Sequence, residues 1–110
     1  MQLTVNIERV SEIVGDNVEM KKTLLQLFID SLNNITTKIS EHIRTASSSQ
    51  KEWADLTHEL KGAAYNLGFN DLGDYCNLLE ERTLTLDQKK AALEVYLQAN
   101  NSVQQILNGL

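Results

Sequence analysis

Proline is absent from the 110 residues, and glycine appears only five times. With few β-branched runs as well, little stands in the way of a helix, and an all-helical chain is expected. No apolar run approaches the roughly 20 residues that a membrane-spanning helix needs, so no membrane association is expected. Met1-Gln2-Leu3-Thr4-Val5 lacks a basic start followed by an apolar core, so no signal peptide is expected. The lone cysteine, Cys76, excludes an intramolecular disulfide and suits a cytoplasmic protein. Positive charge is also short. Ten Lys and Arg stand against 15 Asp and Glu, and the net charge of -5 argues against nucleic acid, whose phosphates want a concentrated basic surface. There is no Ser/His/Asp pattern, no phosphate-cradling glycine loop and no zinc motif. His42 and His58 lie on helix faces of opposite character without further ligands around them, so no metal site is expected. Nothing reads as a self-sufficient active site, and the chain is not expected to be an enzyme.

What is present is helical periodicity. Hydrophobic residues make up 42% of the sequence, with no repeat and no biased segment, which predicts one globular domain over residues 1–110, taken as a monomer. Leu3, Ile7, Val10 and Val14 predict a short helix over residues 5–14, stopped at Gly15. Asp16-Asn17-Val18-Glu19 then offers a cap followed by a carboxylate. A long helix over 17–46 carries the stripe Leu25, Phe28, Leu32, Ile35, Ile39, Ile43 and Ala46, widened by Leu24 and Leu27. His42 stands at the edge of that stripe and reads as a partly buried, hydrogen-bonded side chain.

The polar run from Thr45 to Gln50 is the next connection. Ser49-Gln50-Lys51-Glu52 has the form of a capping box, starting a third helix near residue 50. That helix should end at Asn66-Leu67-Gly68, with Gly68 left-handed. Asn70 is expected to cap the following helix, whose apolar face is Leu72, Tyr75, Cys76 and Leu79. Cys76 reads as a small core residue. Thr85-Leu86-Asp87-Gln88 is a second capping-box pattern, and Ala92, Tyr96, Ala99, Val103 and Ile106 carry the last helix to about 108. The expected architecture is an antiparallel up-down-up-down four-helix bundle with a short additional N-terminal helix.

One stretch, from Thr57 to Gly68, carries the chemistry. Trp53, Leu56, Leu60, Ala63, Ala64 and Leu67 gather on one side of its helix, at the spacing of a buried stripe. His58 falls roughly 170° from the centre of that stripe at the helical 100° per residue, and should face solvent. Gly62 lies one turn further along the same outward face, with Tyr65 at its border. Lys61, three residues after His58, can reach whatever the imidazole carries. A surface histidine on a helix is ordinarily a solvated polar residue, and a lone lysine beside it an ordinary charge. Gly62 sharpens the reading, because a mid-helix glycine costs about 1 kcal/mol relative to alanine. A side-chain-free position there suits the close approach of another body. An imidazole is largely neutral at neutral pH, so one nitrogen keeps a lone pair for attack on a phosphoryl group.

His58-Glu59-Leu60-Lys61-Gly62-Ala63 resembles the H-x-x-K-G-S/A signature of histidine-containing phosphotransfer (HPt) domains. Asn66-Leu67-Gly68, Leu72, Cys76 and Leu79-Glu80 are similar to that family's next helix. The resemblance covers nearly the whole chain, although only the central stretch is specific. It implies that His58 accepts a phosphoryl group at Nε2 from an aspartyl phosphate on a response-regulator receiver domain and passes it to another receiver. It implies further that Lys61 stabilises the added charge, and that a receiver docks over Gly62, Tyr65 and Asp55. A hybrid sensor histidine kinase is the implied upstream partner. Mg²⁺ and most of the catalytic apparatus would belong to the receiver, with no cofactor in this chain, and no ATP-binding kinase domain is visible. Glu80 is the candidate auxiliary residue. It occupies a position where the family often carries a glutamine hydrogen-bonded near the histidine, and a carboxylate there repels a phosphoryl group unless Lys61 offsets it. The alternative reading is a helical-bundle interaction module that binds a partner and carries no phosphate.

Overall fold

The computed structural model describes residue 3 and residues 5–110. The expectation of no leader rests on Met1 to Val5, of which Met1, Gln2 and Thr4 lie outside the described residues. Five helices form among the described residues: α1 Glu8–Val14, α2 Val18–Arg44, α3 Gln50–Asn66, α4 Asn70–Glu80 and α5 Leu86–Asn108. The fold is an all-α bundle of α2 to α5 with the short α1 added at the N-terminus. Helix α2 packs on α1, α3 and α5, and α3 packs along α4.

Local chemistry explains most of the boundaries. Asn17 caps α2 by accepting from the Met20 amide at 3.0 Å, so the cap is Asn17 and not Asp16. Thr85 and Gln88 close a full capping box at the start of α5. At the end of α3 the amide of Phe69 donates to Ala64 O at 2.9 Å and that of Gly68 to Tyr65 O at 3.1 Å. This is the Schellman arrangement, and Gly68 adopts the required φ of 78°.

Other expectations also need correction. Helix α1 starts at Glu8, not at residue 5. Asn70 is the first residue of α4 and does not cap it; the cap position is Phe69, with no side-chain hydrogen bond. Phe69 is instead buried against Phe28, ring centroids 4.9 Å apart, so packing takes the position that a polar cap would occupy. Ala46 lies beyond α2, exposed and with φ 50°, where the chain turns towards α3. Leu27, expected to widen the α2 stripe, is exposed.

The buried side chains form one cluster, with Leu25, Leu32, Ile35 and Ile39 of α2 facing Trp53 and Leu60 of α3, Leu72 of α4 and Tyr96 and Val103 of α5. Each such aliphatic side chain contributes about 1.5–3 kcal/mol on leaving water. Polar ties hold the helices in register. The Trp53 indole donates to Leu79 O at 3.2 Å, joining α3 to α4, and the Asn100 amide donates to Asn33 Oδ1 at 2.7 Å, joining α5 to α2. The first of these ties bears on the site, because it holds the last turn of α4 against α3.

Candidate functional site

Helix α3 buries Trp53, Leu56, Thr57, Leu60 and Ala64, which turns the opposite face outward. The His58 side chain is accordingly 67% exposed. Its Nδ1 is 2.5 Å from Glu80 Oε1, on the last turn of α4. The other carboxylate oxygen, Oε2, accepts from Lys61 Nζ at 2.5 Å. One carboxylate therefore bridges the imidazole and the ammonium. Lys61 reaches Asn77 Oδ1 as well, at 3.4 Å.

Burial and charge define what this arrangement can do. Glu80 and Lys61 are mostly covered, at 16% and 19% exposure, while His58 stands outside them. The hydrogen bond from Lys61 holds the Glu80 carboxyl below the usual carboxylate range; that from His58 acts in the same direction, and partial burial opposes both. Glu80 is thus an anion at neutral pH. A neutral imidazole facing it must carry its proton on Nδ1. Nε2 is then the nitrogen with the lone pair, on an exposed ring.

The space around His58 is equally specific. A Cβ built on Gly62 would meet nothing within 4 Å, so the outward face of α3 is clear one turn beyond the histidine. Tyr65 closes the far side of this clearing. Its hydroxyl donates to Asp74 Oδ1 at 2.6 Å, and that bond, with Asp74's charge, pushes its ionisation up to about 12. Asp55 lies one turn before His58 and accepts from Lys51 Nζ at 2.7 Å. The structure therefore places His58, Lys61 and Glu80 in contact, with Gly62 beside them and Asp55 and Tyr65 flanking on the same helix.

His42 is a different kind of residue. It is hydrogen-bonded as expected but buried more fully than its place at the edge of the α2 stripe implied, and both ring nitrogens are engaged. Nδ1 donates to Glu52 Oε1, and Nε2 accepts from Lys89 Nζ at 2.7 Å. Lys89 also donates to Ser47 O at 3.2 Å and lies over the Trp53 ring. Glu52 therefore turns to His42 instead of completing the capping box at Ser49, whose hydroxyl still accepts from the Glu52 amide at 3.1 Å. Among the described residues no group of three or more His, Cys, Asp and Glu side chains could hold a metal ion.

Three contributors escaped the sequence reading. Lys89 is buried, and its spacing to Ala92 and Tyr96 puts it on the α5 stripe, a signal that its charge obscures. Asn77 lies one turn before Glu80, on the face of α4 that meets α3. Asp74 has no local signal, since only the packing of α4 on α3 brings it to Tyr65.

The model of the family described as Hpt domain matches residues 23–109. The match begins inside α2, takes in the whole site and leaves α1 outside it. No curated protein and no solved structure matches the chain. No helix among the described residues is long and apolar enough to cross a membrane.

Proposed function

The chain belongs to the Hpt domain family, the histidine phosphotransfer modules of phosphorelays, and we propose that it carries a phosphoryl group on His58 Nε2. The single observation supporting this most directly is the hydrogen bond between His58 Nδ1 and Glu80. It leaves Nε2 as the nucleophilic nitrogen of an exposed ring.

In this reading a receiver domain presents an aspartyl phosphate over the clearing at Gly62. The Nε2 lone pair attacks phosphorus in line, the P–O bond to the aspartyl oxygen breaks, and its electron pair leaves with the receiver's carboxylate. The Nδ1 proton stays between His58 and Glu80 throughout. Lys61, bound to the carboxylate that holds the ring, offsets part of the charge of the incoming group. Positioning and electrostatics are this chain's contribution. The Mg²⁺ that assists the chemistry belongs to the receiver. A second receiver then takes the phosphoryl group by the reverse chemistry.

The proposed partners are response-regulator receivers and a hybrid sensor histidine kinase, met by a cytoplasmic, monomeric carrier of one domain without kinase activity of its own. Gly62, Tyr65 and Asp55 form the proposed docking surface. The test is to mix the protein with a phosphorylated receiver and follow phosphate. Acid-labile, alkali-stable label on the wild type and none on His58→Gln is the expected result. No label on the folded wild type would instead favour an interaction module that carries no phosphate.

A further inference from the structure

Glu80 presents the imidazole with a full negative charge, where a neutral amide would make the same hydrogen bond. The difference becomes important after His58 is phosphorylated. Release of the group breaks the P–Nε2 bond and returns its electron pair to Nε2. If Nδ1 carries a proton, the departing ring is a neutral imidazole. If Nδ1 is bare, the departing ring is an imidazolate, a far poorer leaving group. The state of Nδ1 therefore decides whether phosphohistidine is a donor or a store.

Building on the phosphocarrier reading, we propose that the charge of Glu80, beyond its hydrogen bond, keeps the proton on Nδ1 of phosphorylated His58 and thereby sets the pH range over which the phosphoryl group leaves. With Nε2 phosphorylated and Nδ1 protonated, the ring is a cation, 2.5 Å from a carboxylate in the present geometry. An opposite charge at that range favours the charged form by about 1–3 pH units. A glutamine side chain can accept from Nδ1–H or donate to bare Nδ1, so it favours neither state. Transfer needs no further proton: the acceptor carboxylate, or water, attacks phosphorus, and the ring departs neutral with its Nδ1 proton in place.

The other charges around the ring modulate this effect. Lys61 holds the second oxygen of the same carboxylate at 2.5 Å and weakens its grip on the proton. Asp55, one turn earlier on α3, is bound to Lys51 at 2.7 Å, while Glu59 and Glu81 adjoin the pair in sequence and are exposed. Glu80 has the direct contact with Nδ1. It is a positioning residue, since it touches the ring on the side away from the reacting nitrogen.

The experiment labels wild type, Glu80→Gln and Lys61→Met with phosphoramidate, isolates each phosphoprotein and follows loss of phosphate to water between pH 5 and pH 9. At pH 5 wild type and Glu80→Gln should lose phosphate at matching rates, with Nδ1 protonated in both. At pH 8 the wild type should lose it about tenfold faster, corresponding to a profile displaced by about one pH unit. Lys61→Met should move the profile further towards alkaline pH, opposite to Glu80→Gln. A purely structural role for Glu80 would change rates equally at every pH. Long-range ¹H–¹⁵N spectra of the ¹⁵N-enriched, unphosphorylated protein should also show the proton of the neutral His58 ring on Nδ1. Label on His58 with superimposable pH profiles in wild type and Glu80→Gln would overturn the inference alone. Folded wild type that takes no label on His58 would overturn the phosphocarrier reading, and the inference with it.

Discussion

The ring of Tyr65 lies across Gly73, so closely that a Cβ on Gly73 would fall 2.4 Å from Cε1. Gly73 is a buried position in α4, and its missing side chain is the seat for an aromatic ring from α3. The same contact delivers the Tyr65 hydroxyl to Asp74 on the next residue. A border residue of the proposed docking surface is therefore positioned by the neighbouring helix.

Gly73→Ala should consequently displace the Tyr65 ring and break its bond to Asp74. The phenol, now pushed up to about 12, should ionise nearer the ordinary tyrosine value of about 10. Overpacking costs about 1–3 kcal/mol, and the gain of about 1 kcal/mol from replacing a helical glycine partly offsets it. A modest loss of stability with earlier phenolate absorbance is expected. Unchanged absorbance through pH 11 would show that the ring tolerates the methyl group where it lies.

Gly62 should behave in the opposite way, because its outward side is empty. Gly62→Ala should be neutral or stabilise the protein by up to about 1 kcal/mol. Gly62→Gln should keep the fold but place a long side chain over the proposed receiver-docking surface. Transfer from a receiver should drop sharply, while labelling by a small donor such as phosphoramidate survives. Equal receiver-dependent rates in wild type and Gly62→Gln would remove steric clearance as the reason for the glycine.

The two histidines should separate in stability and in chemistry. His58→Gln should melt close to the wild type, since exposed ion pairs contribute only about 0–1 kcal/mol, and should accept no phosphate. His42→Ala removes a buried ring and takes from buried Lys89 one of its two acceptors, leaving the Ser47 carbonyl, at a cost of about 2–4 kcal/mol. For a domain of this size that lowers the melting temperature by roughly 10–25 °C, while the folded fraction still accepts phosphate. Full stability with lost acceptance in His42→Ala would mean that the acceptor has been placed on the wrong histidine.

Glu80 also makes stability depend on pH. Its folded-state carboxyl lies below the ordinary range, chiefly because of Lys61. The sign follows from linkage: the contribution is present above the unfolded carboxyl's value and fades as pH falls through the lowered folded value. Wild type should therefore be more stable than Glu80→Gln at pH 7, with the gap closing as the solution is acidified below about pH 4. A gap that stayed constant down to pH 2 would attribute it to packing and not to charge.

Periodicity and capping are local, and what depends on them was legible in the sequence. The outward phase of His58, the inward phase of His42, the left-handed turn at Gly68 and the capping box at Thr85 each follow from residues within a turn or two. Where two local preferences competed, tertiary packing chose between them. Phe69 entered the core, leaving Asn70 without a capping role, and Glu52 turned to His42 instead of completing the box at Ser49. The resemblance pointed to Glu80 beside the histidine, but periodicity and capping could not derive the bridge at the heart of the site. Glu80 lies 22 residues from His58 and 19 from Lys61, and helical phase does not specify how far one helix slides along another. The packing of α4 on α3, with Trp53 tied to Leu79 O, sets that register. It brings one carboxylate onto both residues.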